Sequence, residues 1–97
     1  MRRAIFLDRD GVINKVISKN GRPFSPRSIA DFELSEDIEE FLARSRQLGF
    51  VNIVITNQPD IARGLMSWDT LEAMHQFIKK NLSIDDIKDQ RDEVGVG

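Results

Sequence analysis

Polar breaks divide the chain into short apolar runs and longer amphipathic stretches. Ala4-Ile5-Phe6-Leu7 is apolar without interruption and stops at Asp8. Its brevity predicts a buried strand. Val51-Asn52-Ile53-Val54-Ile55-Thr56 is largely β-branched and predicts a second one, ended by Asn57-Gln58-Pro59-Asp60. Between these runs the spacing becomes helical. Ser35 reads as an N-cap, with Glu36 and Asp37 in the first turn, where the helix dipole favours acids. Ile38, Phe41, Leu42 and Leu48 share a face, and Gly49 suits the residue after the helix, so a helix is expected over 36–48. Ser67 reads as the cap of a second helix over 68–81, whose buried stripe is Trp68, Leu71, Met74, Phe77 and Ile78. Ile84 and Ile87 mark a short third strand. Asn20-Gly21, between residues 15–19 and 22–25, favours the positive φ angles of a tight hairpin turn. A small β-hairpin flap is expected there, with Pro23 weakening its second arm.

Helices alternating with apolar strands predict an α/β fold: a Rossmann-like parallel sheet of about three strands. Right-handed crossovers are expected to flank it with helices on both faces. Residues 1–87 form the expected core, and 88–97 read as a polar tail that frays. In such sheets ligands bind at the carboxyl ends of the strands. Asp8 and Asp10 follow the first strand, and Thr56 and Asn57 close the second. If the two strands are parallel neighbours, all four side chains meet at one rim.

The chain is 97 residues long, 40% hydrophobic and 31% charged, which suits a single small globular domain. It has no cysteine, which excludes a disulfide, a thiolate zinc site and a cysteine nucleophile. No apolar run approaches the ~20 residues of a membrane span, and no export signal is read, so the expected location is the cytoplasm, with no membrane partner. A net charge of −2 gives no general pull toward nucleic acid. The charge is uneven, however. Residues 1–30 carry seven Lys or Arg around Asp8 and Asp10, whereas residues 31–43 carry six acids and no base. A basic third surrounding two carboxylates can attract a small anion, although on the charge counts alone salt-bridged surface is the simpler reading.

Two carboxylates at i and i+2 just past a strand can divide labour. One serves as nucleophile or metal ligand, and the other as general acid and base. Such a pair attracts Mg²⁺, and a facing Thr hydroxyl and Asn amide can hydrogen-bond phosphoryl oxygens. Together these parts suit phosphoryl transfer through a covalent aspartyl phosphate.

Ile5-Phe6-Leu7-Asp8-Arg9-Asp10-Gly11-Val12-Ile13-Asn14 resembles the first motif of the haloacid dehalogenase-like hydrolases, and Val54-Ile55-Thr56-Asn57-Gln58 resembles their second. The longer string Thr56-Asn57-Gln58 … Ile61-Ala62-Arg63-Gly64 is similar to the branch of heptose bisphosphate and histidinol-phosphate phosphatases, and to the phosphatase domain of polynucleotide kinase/phosphatases. The likeness spans residues 3–82, the N-terminal part of such an enzyme. It implies Asp8 as nucleophile and Asp10 as general acid/base. It implies Mg²⁺ held by Asp8 and by Asp10 through its backbone carbonyl. Thr56 and Asn57 would hold the phosphoryl group, with Arg63 near the substrate.

The departures from this pattern also carry weight. Ser-Gly usually follows the Gln of the second motif; here Pro59 removes an N–H and Asp60 adds negative charge beside an anion site. The later Lys or Arg that bridges nucleophile and phosphate, and the further acidic motif that completes the metal site, are not recognisable. Lys88 and Asp92 match by residue type alone. The cysteine/histidine zinc loop of the branch is missing as well. The function implied is a Mg²⁺-dependent phosphatase of small sugar or metabolite phosphates, weak or inactive as this short, truncated chain. The alternative is a non-catalytic remnant or assembly module that binds metal or phosphate, or pairs with another chain. The first strand is central in the family sheet, so its open edge here predicts a homo-oligomer. Action on nucleic-acid ends is disfavoured by the charge balance. His75 reads as a packed or rim histidine rather than a catalytic one.

Overall fold

A computed structural model of the chain describes residues 3–92. In chain order its elements are strand β1 (Arg3–Asp8), a hairpin of β2 (Ile17–Lys19) and β3 (Arg22–Phe24), helix α1 (Ile38–Gln47), strand β4 (Phe50–Ile55), the short helix α2 (Pro59–Ala62), helix α3 (Trp68–Asn81) and strand β5 (Asp86–Lys88). β1, β4 and β5 form a parallel sheet in the order β1-β4-β5. The α/β core with its hairpin flap agrees with the expected fold class. Among the described residues no helix is long and apolar enough to cross a membrane.

Local chemistry explains most of the boundaries. Ser67 accepts a hydrogen bond from the Thr70 N–H and starts α3, as its residue type predicts. Asn20 and Gly21 both have positive φ, 52° and 75°, as a type I′ hairpin turn requires. α1 begins later than expected. Ser35 does not cap it; its N–H donates to the Ile13 carbonyl instead. Asp37 precedes the helix in a left-handed conformation without a side-chain cap. α2 was not anticipated: Pro59 occupies its first turn, where a missing N–H leaves no helical bond unmade.

Both long helices cover the same face of the sheet. Leu42 of α1 and Ile78 of α3 are fully buried with Val54 of β4 and Ile13, and Leu7 and Ile38 pack against them. Asn52 staples the layer: its amide donates to the carbonyls of Leu42 and Ser83 and accepts from Ser45 Oγ. The expected helix on each face is therefore corrected. The strands advance in one direction, β1 to β4 to β5, and crossovers of one hand then place their helices on one side. Strand side chains alternate, so Phe6, Ile53 and Ile55 point to the other side. Phe6 is 60% and Ile55 44% exposed, so this side of β1 and of the end of β4 is open rather than buried. Phe41, Leu48, Trp68 and Phe77, expected in the helical stripes, are exposed as well.

The segment from residue 88, expected to fray, is held as far as Asp92. Lys88 ends β5, Asp89 is buried, and Gln90 and Arg91 make side-chain hydrogen bonds. Residues 93–97 of that expected tail lie outside the described residues.

Candidate functional site

The parallel register sets Asp8 opposite Ile55, so the segments leaving β1 and β4 emerge side by side. Asp8, Arg9, Asp10, Ile55, Thr56 and Asn57 line one open pocket of about 320 Å³ at this carboxyl edge. Four of the five predicted site residues thus share a rim. A larger hollow of about 570 Å³ lies along α1 and contains none of them.

Residues 9–14 form the loop that aims the carboxylates. The Arg9 carbonyl accepts from the N–H groups of Val12, Ile13 and Asn14, and the Gly11 N–H donates to the Asn14 carbonyl at 2.8 Å. Gly11 has φ +87°, a conformation that a side chain would strain. The tight turn reverses Asp10 toward the sheet edge and leaves Asp8 exposed at the end of β1.

Asp10 sits in a cage of donors. Its Oδ1 accepts from Arg9 Nη2 at 2.9 Å and Asn14 Nδ2 at 3.0 Å; its Oδ2 accepts from Ser25 Oγ at 2.9 Å and Gln58 Nε2 at 2.7 Å. Burial pushes the Asp10 carboxyl up. The Arg9 charge and the hydrogen bonds from Asn14, Gln58 and Arg9 outweigh burial and hold it below the usual carboxylate range. Gln58 Nε2 also donates to Thr56 Oγ1 at 2.8 Å, tying the two motif segments together. The Gln58 backbone is clamped in turn by Gln90: its N–H donates to Gln90 Oε1, and its carbonyl accepts from Gln90 Nε2.

Arg9, Asn14, Gln58 and Ser25 carry no role in the sequence reading. The first three stand inside the motif strings, so their positions were a signal that went unused. Ser25 had none, because only the folded flap brings it to Asp10. Arg63 is not among the pocket-lining residues. It is 65% exposed at the side chain, with Nη1 3.6 Å from Asp60 Oδ1. Asp60 is buried and accepts from Arg27 Nε at 2.9 Å. Its charge is met by two arginines, which removes the objection that it would repel an anion. Lys88 lies against Asp86, and Asp92 accepts from the Asp89 N–H; neither lines the pocket.

Among the described residues no three His, Asp or Glu side chains cluster as a metal cage. Mg²⁺ does not require one, since it takes one or two carboxylates and keeps several waters. The exposed Asp8 carboxylate at the pocket offers a hard oxygen ligand of this kind. The Asp10 carboxylate is already saturated by four donors, so its side chain is not available as a second. Of the two carboxylates at the pocket, Asp8 is the one left open to a hydrated cation such as Mg²⁺.

No family model matches the chain. It is 37% identical over 81 residues to the D-glycero-D-manno-heptose-1,7-bisphosphate 7-phosphatase of Chlorobaculum tepidum, covering 84% of this chain and 38% of the relative. It is 36% identical over 80 residues to the corresponding D-glycero-β-D-manno-heptose enzyme of Helicobacter pylori, covering 82% and 43%. Among solved structures, the D,D-heptose 1,7-bisphosphate phosphatase of B. bronchiseptica, complexed with magnesium and phosphate, superposes with a TM-score of 0.70 at 27% identity; the match covers 90% of this chain and 49% of that one. The Burkholderia thailandensis enzyme superposes with a TM-score of 0.63 at 28% identity, covering 91% and 52%. The chain spans about two fifths of the length of these curated relatives.

Proposed function

This chain has a partial haloacid dehalogenase-like core, and from that premise we propose that its pocket hydrolyses phosphate monoesters of small sugars or metabolites, with Mg²⁺ as cofactor. The observation that carries the reading is the meeting of Asp8, Asp10, Thr56 and Asn57 around one pocket. Gln58 bridges the acid of the first segment to the hydroxyl of the second.

In this reading Asp8 is the nucleophile. Its carboxylate oxygen attacks phosphorus, the P–O bond to the leaving alcohol breaks, and Asp10 gives that oxygen its proton. Asp10, now a carboxylate, takes a proton from water as the water attacks phosphorus, releasing inorganic phosphate and regenerating Asp8. The Thr56 hydroxyl and Asn57 amide orient phosphoryl oxygens. Bound Mg²⁺, held by Asp8 and the Asp10 carbonyl, would supply positive charge against the anionic substrate. The four-donor cage favours the ionised Asp10, the form that activates water. Loading the proton for the first step must displace one of these donors and is therefore the costlier event, so slow turnover is expected. Arg63 stands in for the family's substrate-side cation only if it leaves Asp60.

The test is phosphate release from heptose 1,7-bisphosphate and from p-nitrophenyl phosphate, with and without Mg²⁺. Slow Mg²⁺-dependent release that falls by about 10³ or more in Asp8→Asn is expected. Release unchanged in Asp8→Asn would sink the assignment.

A second reading, a non-catalytic module that pairs with a copy of itself, is favoured by the side of β1 that no described strand pairs with and by the exposed Phe6 beside it. An open apolar edge pairs readily with another chain. A monomer in sedimentation at high concentration would count against it.

A further inference from the structure

Behind the pocket runs a row of buried groups that the chemistry above does not use. The Arg9 side chain is fully buried. Nη2 holds Asp10, while Nη1 lies 3.3 Å from His75 Nε2 and 3.8 Å from Met74 Sδ. The Phe32 ring stacks 5.5 Å from the guanidinium carbon. His75 is 3% exposed, and its Nδ1 lies 3.8 Å from Asp89 Oδ2. Asp89 is gripped by Arg91 through Nε and Nη2, and Arg91 reaches on to Glu72. From the pocket to the surface the row runs Asp10, Arg9, His75, Asp89, Arg91, Glu72, with acids and arginines alternating about the histidine.

We propose that His75 is a positioning residue, whose Nε2 lone pair holds the Arg9 guanidinium in the orientation that presents Nη2 to Asp10. The inference rests on the phosphatase reading only for the purpose it gives Asp10; the geometry stands apart from it. Arginine donates hydrogen bonds and never accepts them. Nε2 must therefore be the acceptor, which leaves the ring proton on Nδ1, facing the Asp89 carboxylate. This is how a carboxylate behind a histidine selects its tautomer. A protonated ring would turn an N–H toward a buried cation. The surroundings oppose it: burial, then the Arg9 charge, pushes the His75 pKa down to about 4, against smaller upward pulls from Asp89 and Glu72. The side chain read from sequence as a packed histidine is packed, and among the described residues it is also the only nitrogen acceptor that the guanidinium meets.

Three substitutions separate the acceptor from mere bulk. His75→Gln can place an amide oxygen near the Nε2 position. His75→Asn is too short to reach it, and His75→Leu has no acceptor. The readouts are the ¹⁵N tautomer pattern of His75 in the full chain, and hydrogen-exchange protection of the Arg9 guanidinium N–H signals. Expected are an Nδ1-protonated ring in the wild type and protected Arg9 signals in wild type and His75→Gln. Protection should fall about tenfold or more in His75→Asn and His75→Leu. An Nε2-protonated ring in the wild type, which needs no variant to fold, overturns the proposal. So does equal protection in all three variants, or equal loss. Failure of phosphate release with these signals behaving as expected would sink the phosphatase reading and leave the positioning role intact.

Discussion

The two faces of the sheet carry similar residues and meet different fates. On one face Leu7 and Val54 lie beneath Leu42 and Ile78, and the core is closed. On the other, Phe6 and Ile55 stand largely in solvent, and Asp8 lies exposed at the strand end beside them. Apolar content alone does not distinguish them. Direction does: a sheet that grows one way with crossovers of one hand receives all its helices on one side. The polar site gains from the difference. The covered side supplies the buried donors Arg9, Asn14 and Gln58 that grip Asp10, while the bare side leaves Asp8 accessible.

The largest expected effect is on the covered face. Ile78→Ala removes a fully buried side chain and is expected to cost about 3–4 kcal/mol in urea unfolding. A loss under about 1 kcal/mol would mean that α3 is not docked there. Acid comes next. His75 has a folded pKa of about 4 against ~6.5 unfolded, so the unfolded chain binds the extra proton. Stability is then full above pH 6.5 and declines toward pH 4, by roughly 3 kcal/mol in the limit. His75→Gln should flatten that window, and an unchanged pH profile in this variant would show that other groups cause the decline. Below it, protonation of Asp10, whose folded pKa is depressed, removes further stability. Asn52→Val follows at about 2 kcal/mol, because it strands the Leu42 and Ser83 carbonyls and the Ser45 hydroxyl. Phe6→Ser on the bare face should change stability by only about 0.5 kcal/mol. A loss of several kcal/mol that grows with protein concentration would show that the face is covered in solution by a second copy.

Elements with a local cause were the most legible. Ser67 marks the start of α3, and Asn20-Gly21 the hairpin turn. That the two aspartates and the Thr56-Asn57 pair share a rim was legible because each pair stands at the close of an apolar run with strand character. α1 starts later than its pattern predicts because the backbone at Ser35 is engaged elsewhere: its N–H bonds to the Ile13 carbonyl, across a loop no helical pattern reports. Arg63 stands away from the pocket lining because a nearby carboxylate competes for it. Asp60 accepts its charge, and motif spacing carries no information about that competition.

By itself the sequence determined the strands, the long second helix, the flap and the four side chains that could form a phosphoryl site, since these depend on neighbours within a few positions. Only the tertiary structure decided which sheet face is covered, that Asp10 is saturated by four donors, and that His75 and residues 89–91 stand behind it. Those outcomes depend on contacts between segments 14 to 66 residues apart, from His75–Asp89 to Arg9–His75, with Ser25 and Gln58 reaching Asp10 in between; there the order of strands and the competition among partners, rather than local propensity, set the free energy.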